Sequence, residues 1–147
     1  MNITGSYVIH ADAAQSTLIT ALQVTAASGR SFYITRWAIA QRTSTASAMV
    51  GINLLRKSAG ATVTAITPAT LGPSFGAETS SAGHSASAEG TDSTILDRRG
   101  FNILSGLEVI YTPEEMPIIG SSGIVALKWI AAPTSATYVL SMTILEI

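Results

Sequence analysis

The sequence predicts an all-β domain, an antiparallel sandwich or barrel of about eight to ten short strands. Two observations carry that prediction. The clearest lies between Glu114 and Ile147, where Val125, Leu127 and Trp129 share one parity and, after the break Ala131-Ala132-Pro133-Thr134-Ser135, so do Tyr138, Leu140, Met142 and Ile144. Side chains on a strand alternate between faces, so each segment presents one apolar face, and the two read as an antiparallel closing hairpin over a core. The other parity of the last segment, Thr137, Val139, Ser141, Thr143 and Leu145, is half polar and β-branched, as expected of a face near water or a partner subunit. The second observation is spacing: clusters of Gly, Pro, Ser and Ala interrupt the apolar segments about every 10 residues.

Taken in order, Ser6 to His10 is a short β-prone piece and Thr17 to Thr25 a second, separated by Ala11-Asp12-Ala13-Ala14-Gln15. An amphipathic helix through Ala13 to Leu22 fits the same pattern; strand or extended arm is the preferred reading. Residues 1–29 therefore form an N-terminal segment, an arm or an extra strand, ahead of a sandwich domain over 30–147. Ser31 to Gln41 carries bulky apolar groups on both parities, which marks a central or covered strand. Ser47 to Lys57 returns with Val50, Ile52 and Leu54 on one face and reads as its tight antiparallel partner.

Ala61 to Thr67 begins another strand, which Pro68 ends because proline offers no ladder hydrogen bond. From Pro68 to about Thr94, Ala, Ser, Thr and Gly dominate, and the reading is one long central loop anchored near its start by Leu71, Pro73 and Phe75. Thr94 to Leu104 is a strand broken at Gly100, where a bulge is expected. Leu107 to Tyr111 is a short strand, and Thr112 to Pro117 is an irregular connection.

Composition narrows the function classes. The 147 residues suffice for one core, and 47% are hydrophobic while only 12% are charged. That is about half the usual charged share, which favours an exterior partly hidden against other subunits. A net charge of −1 gives no electrostatic footprint for nucleic acid or a membrane surface. There is no cysteine, hence no disulfide and no thiolate metal site. The N-terminus has no signal-peptide pattern and no apolar run approaches ~20 residues, so the expectation is a soluble protein made in the cytoplasm.

Motifs for chemistry are weak. His84, Ser85 and Asp92 make a triad only on paper, without a nucleophile elbow. Glu114 and Glu115 are adjacent, so on an extended chain they point apart and do not flank one glycosidic bond. Glu78, Glu89, Asp92 and Asp97 lack calcium-loop spacing, and Gly120-Ser121-Ser122-Gly123 lacks the lysine and helix of a phosphate cradle. Asp97-Arg98-Arg99 is the densest charge cluster: Arg98 and Arg99 suit a phosphate or an acidic neighbour, and equally a charged sheet edge that resists aggregation. Phe32, Tyr33, Trp37, Trp129 and Tyr138 read as core and interface, since no basic residues surround them as a nucleic-acid stacking platform requires. No cofactor and no catalytic residue are expected.

The order of segments, SFYITRWAIAQ, SAMVGINLLRK, the small-residue central stretch and the ending PEEMPIIGSSGIVALKWIAAPTSATYVLSMTILEI, resembles small structural proteins of tailed bacteriophages, particularly capsid cement or decoration proteins. The likeness covers about Arg30 to Ile147; the first ~25 residues match nothing in it. It implies a jelly-roll-like sandwich and a virion protein without enzymatic activity. It also implies a symmetric homo-oligomer, with a trimer favoured, on the capsid exterior, bridging neighbouring major capsid proteins. On this reading the contact elements are the N-terminal segment and Ala69 to Thr94 with Leu71, Pro73 and Phe75, while Arg98, Arg99 and Glu114 are rim charges. The alternative is a receptor- or carbohydrate-binding head of a tail fibre, which wants loop aromatics; Phe75 is the only one here. A small cupin-like enzyme would need clustered metal ligands, and the two histidines, His10 and His84, lie far apart in sequence.

Overall fold

A computed structural model describes residues 3–72 and 79–147. Among them are twelve strands and no helix, arranged as two antiparallel six-stranded sheets that form a sandwich. The first sheet runs β10 (Ile118–Ile119), β3 (Phe32–Gln41), β12 (Ala136–Glu146), β1 (Gly5–Gln15), β6 (Ala69–Thr70), with β9 (Leu107–Ile110) also paired to β3. The second runs β5 (Thr62–Ile66), β7 (Ser81–Ala88), β2 (Thr20–Thr25), β11 (Ile124–Trp129), β4 (Met49–Ala59), β8 (Thr91–Asn102).

Alternation fills the space between the sheets. Tyr7 and Ile9 of β1 and Tyr138, Leu140, Met142 and Ile144 of β12 are buried from one side, and Leu22, Val24, Ile52, Leu54, Val125, Leu127 and Trp129 from the other. Trp129 meets Tyr138 edge-on across the sheets at 4.9 Å between ring centroids. Its indole N–H donates to the Gln15 side-chain carbonyl, and the Tyr138 hydroxyl donates to the carbonyl of Thr134 at 2.7 Å. Each large aromatic thus buries its ring and satisfies its polar atom.

The two apolar parities of β3 have a local cause. The register with β12 shifts between Thr143 and Ile144, so Ile34 lies opposite Ile144 and Arg36 opposite Thr143, with Thr35 as the extra residue. The bulge changes parity: Phe32 and Ile34 face the core before it, and Trp37 and Ile39 after it. As expected for such a strand, β3 is internal, with β12 on one edge and β9 and β10 on the other.

Several expectations are corrected. The last two strands are not a hairpin, because β11 lies in the second sheet and β12 in the first. The same holds for β3 and β4. Period-two patterning tells which face a residue takes but not which sheet its strand joins. A connector of five or more residues spans the ~10 Å between stacked sheets as readily as it turns back. The stretch read as one long loop instead supplies β6, β7 and the start of β8. Small residues let β7 lie closely between β2 and β5: a Cβ on Gly83 would overlap the Val63 side chain and the Thr64 carbonyl. Gly100 does not break its strand, since Met49 to Leu54 pair with Asn102 to Asp97 in unbroken register, and the irregularities fall between Thr91 and Asp97. Twelve strands, rather than about eight to ten, result from these additions.

Residues 1–29 contribute β1 and β2 to the same two sheets. β1 pairs with β12 along its whole length, from Gly5 opposite Glu146 to Gln15 opposite Ala136, and β2 lies between β7 and β11.

Candidate functional site

Charge is concentrated on the outer face of the second sheet. Asn53, Leu55 and Lys57 of β4 alternate outward beside Lys128 of β11, and Glu89 of the turn from β7 to β8 and Asp92 at the start of β8 fold over them. The Lys57 side chain is fully buried, and its Nζ lies 3.2 Å from Glu89 Oε2 and 2.6 Å from Asp92 Oδ1. Lys128 Nζ reaches the other Asp92 oxygen at 2.6 Å and Glu89 Oε2 at 3.5 Å. Thr20 completes the cage by donating both its backbone N–H and its hydroxyl to Glu89.

Two lysines and two carboxylates make this cluster neutral. Burial acts to raise the pKa of Glu89, but the hydrogen bonds from Thr20 and Lys57 outweigh it and lower it from its ordinary 4.5. Asp92 is likewise lowered from 3.8, with burial opposed by hydrogen bonds from Lys128 and Lys57. Lys128 is raised, chiefly by its bond to Asp92. The arrangement pins the turn to the sheet. Gly90 fits there because it has no side chain: a Cβ would overlap the Ala59 carbonyl oxygen and the Gly60 backbone.

A second chain of polar groups joins the sheets at one edge. The buried Trp37 donates its indole N–H to the Tyr111 hydroxyl at 3.0 Å, and that hydroxyl donates to Asp97 Oδ2 at 3.0 Å. Arg99 Nε holds the other Asp97 oxygen at 3.0 Å. Burial, reinforced by Asp97, pushes the Tyr111 phenol up to about 12. At the far end of β12 the buried Glu146 carboxylate accepts hydroxyls from Thr4, Thr79 and Ser80.

The residues singled out from sequence fall in different places. Arg98 and Arg99 lie on β8, the outermost strand of the second sheet; Arg98 donates to Asn53 Oδ1 at 3.0 Å and Arg99 is spent on Asp97. Glu114 is exposed in the turn between β9 and β10, where Glu115 N–H bonds back to the Thr112 carbonyl. Leu71, 57% exposed, follows β6 at the opposite end of the first sheet from β9 and β10. Pro73 and Phe75 lie outside the described residues. The structure therefore gathers Asp97, Arg99 and Tyr111 at one edge and leaves Leu71 apart.

Among potential reactive groups, His84 Nδ1 is 2.9 Å from Ser85 Oγ, but Asp92 is held by the two lysines. His10 sits on the outer face of the first sheet, opposite Ser141. Among the described residues no group of three His, Asp or Glu side chains is placed to hold a metal ion, and no helix is long and apolar enough to cross a membrane. Sequence reasoning missed the Lys57 cluster. Its partners lie 32 and 35 residues away, and the one available signal was a lysine on the outward parity of Asn53 and Leu55 in β4.

The outer face of the first sheet is different in kind. Rows run across β1, β12 and β3: Val8, Thr143 and Arg36; His10, Ser141 and Ala38; Asp12, Val139 and Ala40. Its two ion pairs are internal, Asp12 with Arg42 at 3.0 Å and Arg36 with Glu108 at 3.1 Å. Between them lie small, hydroxyl and aliphatic groups and the exposed imidazole of His10. No known protein family matches the chain, and no curated protein or solved structure does either.

Proposed function

We propose that this chain is a virion structural protein: a cement or decoration protein of a tailed bacteriophage that binds the assembled capsid from outside and bridges major capsid proteins. The observation that carries the reading is the way the fold spends its charges. Lys57, Lys128, Glu89 and Asp92 neutralise one another, as do Asp97 with Arg99, Asp12 with Arg42 and Arg36 with Glu108. Arg30, Arg56, Arg98, Glu114 and Glu115 are the described surface charges outside these pairs, and the rest of the exterior is rich in small residues, suited to extended contact with other subunits. Exposed apolar side chains at the margins, Leu71, Leu104, Ile110 and Met49, point the same way.

The jelly-roll form of the sandwich belongs to this reading. Supporting it, β1 to β4 alternate between the sheets in succession, and β12 and β11 return to lie between β1 and β3 and between β2 and β4. Function follows by mass action: subunits that bind only the assembled shell shift the equilibrium toward it, through many weak contacts spread over the surface. The protein acts as a homo-oligomer, with a trimer the favoured order. Adding the purified protein to cognate capsids that lack it tests the reading. Saturable binding with a higher capsid melting temperature is expected, and no binding refutes it.

A further inference from the structure

We propose that the outer face of the first sheet, centred on Val139 and Ser141, is where this chain packs against another copy of itself. The inference takes from the functional reading only that the chain self-associates: a face packed on its own copy is a two-fold contact and closes a dimer, not the trimer favoured there. The two outer faces of the sandwich differ sharply. That of the second sheet is occupied by Glu89 of the turn before β8, by Asp92 at the start of β8 and by the side chains of Lys57 and Lys128. That of the first sheet has on its central strand only Thr137, Val139, Ser141, Thr143 and Leu145, none of them charged.

The flanking charges, Asp12 and Arg36, are neutralised within the chain by Arg42 and Glu108, so covering the face leaves neither without its counter-ion. Small side chains on both neighbours, Ala14, Ala38 and Ala40, let a second sheet approach to the ~10 Å of stacked sheets. Val139, Ser141, Ala38 and Ala40 line a shallow depression together with Leu107 and Glu108, and a two-fold axis through it brings the two Val139 side chains together. Area agrees. Strands β1, β12 and β3 have 11, 11 and 10 residues. At about 3.3 Å per residue and 4.8 Å per strand they offer roughly 500 Å² each, or about 1,000 Å² for two copies. That reaches the lower bound of a specific interface before any contribution from β9 or the loops. Val139, 38% exposed at the centre, is the apolar anchor of the patch.

The test compares the wild-type chain with Val139→Lys by sedimentation and native mass measurement, with circular dichroism to verify folding. Because the chain has no cysteine, Ser141→Cys and, on the second sheet, Ser58→Cys give clean sites for a short bis-maleimide cross-linker. The expected result is a wild-type oligomer, self-association roughly tenfold or more weaker in Val139→Lys, and cross-linking between chains at position 141 but not 58. If Val139→Lys does not fold, the cross-linking comparison decides alone. A wild-type chain that stays single at all concentrations overturns the proposal, including the case in which a capsid protein covers this face. An oligomer unmoved by Val139→Lys and not cross-linked at 141 overturns this face while leaving the oligomer standing. An oligomer assembled through this face that does not bind capsids sinks the cement reading alone.

Discussion

Lys57 is the side chain whose surroundings matter most to the fold, because an ammonium with no exposure to water is tolerated only while both its carboxylates remain. Glu89→Gln with Asp92→Asn leaves it buried beside neutral amides, and we expect a loss of about 3 kcal/mol. Adding Lys57→Met to that pair should restore most of the loss, since a packed apolar chain of similar length carries no desolvation cost. Urea unfolding midpoints, with the slope unchanged, check both outcomes. The pH dependence has a definite sign. Glu89 and Asp92 have lowered pKa values, so their contribution is complete above their ordinary 4.5 and 3.8 and is lost as pH falls through the lower folded-state values. Tyr111 has a raised pKa, so its contribution is complete below pH 10 and disappears as pH rises toward about 12. A stability plateau around neutrality, falling on both sides, is the expected profile. Delayed phenol ionisation in wild type, followed by ultraviolet difference absorbance, checks the alkaline side. Of this cluster only the outward parity of Lys57 was legible in the sequence, because charge pairing of β4 with Glu89 and with Asp92 of β8 depends on tertiary approach. The burial of Tyr138, Leu140, Met142 and Ile144 was legible, because alternation alone requires it.

Strands show the same division. Their faces follow from period two, whereas their sheet membership does not. Thus β11 and β12, which read as a hairpin, stand in opposite sheets with Trp129 and Tyr138 in contact between them. Composition hid β7 altogether: Ser, Ala, Gly and His have little intrinsic strand preference, and the segment is extended because β2 and β5 take its backbone hydrogen bonds on both sides. The turn that follows is equally determined by packing. Gly90→Ala should destabilise by about 2 kcal/mol, because its Cβ meets the Ala59 carbonyl and the Gly60 backbone. Gly120→Ala, with nothing near the new methyl group, should leave the melting temperature unchanged. Equal melting temperatures for the two variants would contradict the account of the turn.

At the scale of the molecule, the two sheets share one core, and the N-terminal strand belongs to its interior. β1 lies between β12 and β6, so deleting residues 1–15 should remove cooperative thermal unfolding rather than merely shorten an arm. A truncated chain with a sharp wild-type transition would contradict that. All-β architecture was legible because alternation and turn spacing recur along the whole chain. The residues themselves did not make function legible: the resemblance supplies only the proposal, and among the described residues no charged constellation specifies a reaction. What the molecule offers to others is surface: a neutral sheet face, exposed aliphatic margins and a pinned turn. The most direct measurement is therefore the heat stability of cognate capsids lacking this protein, with and without saturating amounts of it. The account predicts saturable binding and a capsid transition at higher temperature. Capsids that melt at the same temperature and retain no protein would contradict it.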